Sequence, residues 1–164
     1  MVHSCKGVTI MKHKTCCFTG HRVIPCDEVS KIQEKTKNAV IALINKGVIF
    51  FGVGGARGFD TIAAEIILEL KKQFPHIKLI LILPCAEQTK GWSKYEINKY
   101  QDILKKADKI RLLSSFYYNG CMHVRNRHLV NHSAYCICYC RKTIGGTAFT
   151  RNYAIQKGLE MIEI

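Results

Sequence analysis

The segment Val48-Ile49-Phe50-Phe51-Gly52-Val53-Gly54-Gly55-Ala56-Arg57-Gly58-Phe59-Asp60 sets the architecture. Val48 to Val53 is a continuous apolar run of strand length. Gly54 to Gly58 is a glycine loop. From Asp60 to Gln73 the apolar residues recur at helical spacing, with Asp60 placed to cap or charge the first turn. Pro75 prevents continuation. A buried strand that passes through glycines into a helix is the opening half of a βαβ unit.

The same alternation extends in both directions. Upstream, Thr15 to Phe18 predicts a short buried strand ended by Thr19-Gly20. Glu28 to Asn45 carries Val29, Ile32, Ala39, Val40, Leu43 and Ile44 largely on one helical face, and Lys46-Gly47 stops it. Downstream, strands are predicted over 78–83, 109–113, 134–140 and 161–164. Helices are predicted over 93–107, 121–132 and 148–157, with Gly145-Gly146 as a second glycine loop before the last. Strands that alternate with helices imply a parallel sheet, and strands apolar on both faces imply cover on both sides. The expected fold is α/β: a Rossmann-like three-layer sandwich with a mainly parallel sheet. Residues 1–14 read as a flexible N-terminal lead, in which Met11 is a candidate start, and 15–164 as one domain. The ligand of such a fold sits beyond the carboxyl ends of the strands, at the switch point.

The chain has 164 residues, 48% hydrophobic and 23% charged, which suits one ordinary domain and excludes wholesale disorder. No apolar run approaches the ~18 residues of a membrane helix, and residues 1–14 hold no sustained apolar segment. Neither a membrane partner nor a signal peptide is expected. Nine cysteines, an odd number at irregular spacing, read as cytoplasmic thiols. The net charge of +13 is spread over both halves without a basic tail, which suits phosphate-bearing ligands in general.

Four segments are candidates for the site. In Gly54-Gly55-Ala56-Arg57-Gly58, glycines allow close backbone approach to an anion, and the following helix offers free N–H groups. Arg57 adds a bidentate phosphate partner. The alternative is a tight turn with Arg57 in solvent. Gly52, Gly54 and Gly58 form G-x-G-x-x-x-G, one residue too long for the dinucleotide fingerprint, which argues against a plain NAD dehydrogenase. Gly145-Gly146-Thr147 is a second anion cradle or a simple turn. Both loops lie at one sheet edge, so one ligand could span them. Arg125 and Arg127 lie on the next segment. Residues two apart do not share a helix face, so one would face the pocket and the other solvent or a partner subunit. Gly20, His21 and Arg22 follow the first strand, where His21 is either an acid–base group or structural. Phe116-Tyr117-Tyr118 is a loop suited to lining a base pocket, and Trp92 with Tyr95 either stacks on a base or covers the sheet.

The remaining clusters read as packing. Cys136, Cys138 and Cys140 alternate along a strand, as small hydrophobes would. His128 and His132 lack the Glu of an H-E-x-x-H helix. No metal site and no resident cofactor are expected.

Taken together, these segments resemble a known superfamily. Gly55-Ala56-Arg57-Gly58-Phe59-Asp60 is similar to the glycine loop of the DprA/Smf DNA-processing proteins. Met122-His123-Val124-Arg125-Asn126 is similar to the Met-His-x-Arg-Lys segment of the LOG phosphoribohydrolases, and Gly145-Gly146-Thr147 to their Pro-Gly-Gly-x-Gly-Thr loop. Both families belong to the SLOG superfamily. The likeness runs furthest with the small YpsA-like SLOG proteins, through Phe18-Thr19-Gly20-His21-Arg22, Trp92, Tyr118 to Arg127, and Gly146-Thr147-Ala148. It covers residues 15–164. It implies a Rossmann-like fold and a nucleotide-type ligand. LOG enzymes cleave the N-glycosidic bond of nucleoside monophosphates with an arginine and a glutamate. Arg125 matches that arginine. The stretch where the glutamate would fall, Ala148 to Tyr153, holds no acid, which leaves Glu65 and Asp60 as substitutes.

The expected function is binding of a nucleotide or nucleotide-derived small molecule in a two-glycine-loop pocket, as a sensor or regulatory module. The pocket is expected to use Gly20, His21, Arg22, Gly54, Gly55, Ala56, Arg57, Gly58, Asp60, Tyr118, Arg125, Arg127, Gly145, Gly146 and Thr147. Two alternatives are a LOG-like nucleoside 5′-monophosphate N-glycosidase with Arg125 and Glu65 as catalytic residues, and DprA-like single-stranded nucleic-acid binding. A homodimer is left open.

Overall fold

The computed structural model describes residues 11–164. Strands and helices alternate through β1 (Thr15–Gly20), α1 (Val29–Asn45), β2 (Phe50–Val53), α2 (Phe59–Leu70), β3 (Lys78–Leu83) and α3 (Lys94–Lys106). They continue as β4 (Lys109–Leu112), α4 (Cys121–Asn131), β5 (Tyr135–Tyr139), α5 (Gly146–Gln156) and β6 (Glu160–Glu163). All strand pairings are parallel, in the order β4-β3-β2-β1-β5-β6. The chain steps outward from β1 to β4, then returns to the other side of β1 for β5 and β6. The switch point therefore lies between β1 and β5. This is the expected α/β sandwich, with a sheet that is wholly parallel.

Strand alternation sends neighbouring side chains to opposite faces, and each face has its own core. Phe18, Phe51, Leu79, Leu81 and Ile137 pack under α1, α2 and α3 with Ile32, Val40, Phe59 and Ile67. Cys17, Cys136 and Cys138 pack under α4 and α5 with Leu129, Val130 and Ala154. Cys16 lies in the first core and Cys17 in the second. The strand cysteines thus serve as small hydrophobes, and burial raises the Cys138 thiol so that it stays protonated.

The structure shifts some expected boundaries. β1 runs on through Thr19 and Gly20 because β5 pairs with it as far as Gly20↔Tyr139. α5 starts at Gly146, so Gly145 is its N-cap and the second glycine pair forms the helix start itself. Of the lead expected over 1–14, residues 1–10 lie outside the described residues. Residues 11–14 make a helical turn, and the Lys14 carbonyl accepts from the N–H groups of Ile49 and Phe50. Among the described residues no helix is long and apolar enough to cross a membrane.

Candidate functional site

A cavity of about 330 Å³ opens at the switch point. Gly20, His21 and Arg22 border it from the end of β1. Ala56 and Asp60 reach it from the glycine loop and α2. Met122, His123, Arg125 and Asn126 come from α4, and Gly146 and Thr147 from the first turn of α5. The first amides of any α-helix lack intrahelical acceptors and carry the positive end of its dipole, and among the described residues no side chain caps those of α5. Gly145 takes φ 103°, and a Cβ at Gly146 would meet nothing within 4 Å. Among the described residues, no packing constraint explains the missing side chain at Gly146.

Arg125 is buried, with 3% of its surface exposed. Its Nη1 donates to the Gly54 carbonyl and, at 3.4 Å, to Gln88 Oε1; its Nε donates to Asn126 Oδ1 at 2.7 Å. Asn126 Nδ2 donates to Thr150 Oγ1 at 3.0 Å, and that hydroxyl donates to the Gly146 carbonyl at 2.9 Å. A continuous hydrogen-bonded chain thus joins the glycine loop after β2 to the glycine start of α5. Burial lowers the Arg125 pKa, and Asp60 opposes that shift. Burial raises the Asp60 carboxyl, which Arg125 and the Ala56 amide pull back down. Asp60 Oδ2 accepts from Ala56 N at 3.1 Å, closing the loop on the first turn of α2.

The first glycine loop is largely consumed by internal contacts. A Cβ at Gly54 would overlap the Arg125 guanidinium, and one at Gly58 would overlap the Arg22 backbone. At Gly55, φ is 71° and a Cβ would stand 2.8 Å from Leu83 Cδ2. Gln88 Nε2 donates to the Gly55 carbonyl at 3.1 Å. Arg57 turns away, 3.6 Å from Glu96 of the α3 capping box. Of this loop, Ala56 and the following Asp60 face the cavity. Glu65 does not reach it: its carboxylate pairs with Lys99 of α3 at 3.0 Å. Five helical positions separate Glu65 from Asp60, a net turn of about 140° that points the two to different sides.

Tyr118 and Arg127 stand in a second, shallow cleft of about 460 Å³ with Asn119, Gly120, Val124 and Phe149. His123 borders both this cleft and the cavity. Of α4, the sequence reading put Arg125 and Arg127 in the pocket and left out Met122 and Asn126, which with Arg125 follow from i, i+3 and i+4 neighbours sharing a face. Gln88 was also missed; it lies in an irregular stretch after Pro84, where no periodicity marks it. Trp92 packs edge-on against Tyr100, with centroids 5.6 Å apart. His128 and His132 stack at 4.2 Å, and no group of three His, Cys, Asp or Glu among the described residues is arranged for a metal.

His21 Nε2 accepts from the Arg141 amide at 2.7 Å, and its ring meets Tyr139 edge-on. Partial burial, then Lys142 and Arg141, lower its pKa from 6.5. Burial, then His132 and Arg111, lower that of His128 from 6.5 to about 4. Both rings take up their protons at lower pH in the fold than in the unfolded chain. The unfolded state then binds more protons, so stability falls as pH drops. The urea midpoint is expected to fall between about pH 7 and about pH 5, above the range where most carboxylates titrate. The fall should shrink in His128→Gln, and an unchanged midpoint would count against this account.

The sequence matches the YspA SLOG family (YpsA) over residues 17–160. It is 34% identical over 107 residues to a UPF0398 protein of Halalkalibacterium halodurans, covering 64% of this chain and 57% of that one. It is 31% identical over 77 residues to the UPF0398 protein YpsA of Bacillus subtilis, covering 47% and 43%. The matches thus span about half the length of these curated relatives. Among solved structures, DNA processing protein A from Streptococcus pneumoniae superposes with TM-score 0.64 at 15% identity, over 94% of this chain and 51% of that one. DNA processing protein A from Helicobacter pylori, described for its single-stranded DNA binding mode, gives 0.65 at 18% identity, over 96% and 67%. At those identities the likeness is one of fold. The family match spans most of the chain, including the segments that line the cavity, and the chain belongs to the YspA SLOG family.

Proposed function

We propose that this chain binds a nucleotide or nucleotide-derived small molecule in the switch-point cavity and acts as a sensor or regulatory module. The observation that carries this reading is the start of α5. Gly146 lacks a side chain where the fold has room for one, and it borders a cavity that Arg22, His21 and Arg125 also line. Free helix amides beside arginine are a phosphate site in chemical terms. The test is mass analysis of small molecules released from the purified, denatured chain, followed by calorimetric titration with the species found. A chain that carries no phosphate-bearing molecule and binds none of the common nucleoside monophosphates overturns the reading.

Glycosidic cleavage would need a carboxylate at the sugar. Among the described residues the one bordering the cavity is Asp60, and one of its oxygens is already committed to the Ala56 amide. Little or no free base is therefore expected from AMP, GMP, CMP or UMP, measured by chromatography. Turnover on the order of 1 s⁻¹ that disappears in Asp60→Asn would replace the sensor with an enzyme.

A second reading, single-stranded nucleic-acid binding, is favoured by the net charge of +13 and by the fold shared with Helicobacter pylori DNA processing protein A. Binding through dispersed charge collapses with added salt. Nanomolar single-strand affinity that persists at ~200 mM salt would support this reading over the small-molecule one.

A further inference from the structure

Next to the cavity, three segments bring aromatic rings to the surface. Tyr118 precedes α4 and is 37% exposed; Phe149 on α5 is 42% exposed. His123 of α4 meets Phe149 edge-on, with centroids 4.8 Å apart and planes at 79°. Tyr153 backs Phe149 with its ring nearly parallel, at 5°. Arg127 and Asn119 supply polar groups at the same cleft. Exposed aromatic rings that converge from separate elements call for a partner.

The position of the cleft identifies that partner. Gly146 and Phe149 are three residues apart on α5 and so are surface neighbours. His123 is a wall of both spaces. A ligand with its phosphate on the amides at the α5 start has the Phe149 ring one helical turn away. We infer that the cleft of Tyr118, His123, Arg127 and Phe149 is the base subsite of the nucleotide proposed for the cavity. This rests on that reading and adds to it how the base is recognised. The rings offer a π-face, which any base can stack on, so the subsite favours purines for their larger stacking area. The planar guanidinium of Arg127 can lie over a base or reach its edge.

Titration of the full chain with AMP, UMP and ribose 5-phosphate tests the inference. AMP is expected to bind tighter than UMP, and UMP tighter than ribose 5-phosphate. Phe149→Ala should weaken AMP about tenfold, within the range for loss of one base–aromatic stack. It should leave ribose 5-phosphate within about twofold, since the sugar phosphate does not touch the ring. Tyr118→Ala should act in the same direction, and Phe149→Trp should retain AMP. Equal losses for AMP and ribose 5-phosphate in Phe149→Ala would mean a purely structural ring and overturn the inference. Unchanged AMP affinity together with an altered sedimentation coefficient would assign the aromatic surface to contact between copies of the chain, and would also overturn it. A wild-type chain that binds AMP and ribose 5-phosphate equally overturns the base subsite and leaves the cavity reading standing. A wild-type chain that binds neither overturns both.

Discussion

Arg125→Ala is expected to lower the unfolding free energy by about 3–5 kcal/mol, the combined cost of its buried hydrogen bonds and of the positive charge that acts on the buried Asp60 carboxyl. The side chain is 3% exposed and holds Gly54, Gln88 and Asn126 at once. Truncation leaves the Gly54 carbonyl without this donor. It also removes the positive charge that offsets burial at Asp60. A buried acceptor left unpaired costs about 1–3 kcal/mol, and an uncompensated carboxylate adds to that. Urea denaturation of the variant reads the loss directly. Adding Asp60→Asn to Arg125→Ala should recover part of it, because the orphaned carboxyl is then neutral. A loss below about 1 kcal/mol would mean that solvent or a rearranged Gln88 replaces the guanidinium. A ligand-orienting arginine held in solvent would show the reverse pattern, with affinity lost and stability kept.

That contrast marks where the sequence was legible and where it was not. The alternation of apolar strands with amphipathic helices is local information, and it placed β3 over its full span. The central position of β1 is not local: it depends on pairing Cys16 with Phe51 on one side and Tyr135 on the other. Glycine is ambiguous in the same way. Close approach to a ligand and close approach to the protein's own atoms both require a missing Cβ. Gly54 makes room for Arg125 and Gly55 for Leu83, while no atom of the described residues occupies the space at Gly146. The direction of Arg57 was equally hidden, because Glu96 draws it from another helix. Arg125 and Arg127 were both candidates from their place before the fifth strand, and a resemblance singled out Arg125. Its burial, and its link through Asn126 and Thr150 to α5, needed the folded chain.

Gly58→Ala and Gly146→Ala should separate the two kinds of glycine in a single experiment. Gly58 is the N-cap of α2 at φ 78° and ψ −122°, and a Cβ there would overlap the Arg22 carbonyl and its neighbours. All three atoms in conflict belong to the Arg22 backbone, so no side-chain rotation relieves the clash. Backbone strain of about 1–3 kcal/mol and overpacking of about 1–3 kcal/mol together predict a loss of about 2–6 kcal/mol. The Arg22 backbone would have to move, and β1 with it, since Phe59 N also donates to the His21 carbonyl at 3.0 Å. Gly146 lies in the first turn of α5 with nothing within 4 Å of the added atom. Its replacement should leave stability unchanged or raise it by up to about 1 kcal/mol through helix propensity. The new methyl group nevertheless stands in the cavity wall, beside the helix amides. Nucleotide affinity should therefore fall in Gly146→Ala while the urea midpoint holds. A stable Gly58→Ala chain would show that the β1–α2 junction tolerates displacement. A Gly146→Ala chain with full affinity would remove the α5 start from the site.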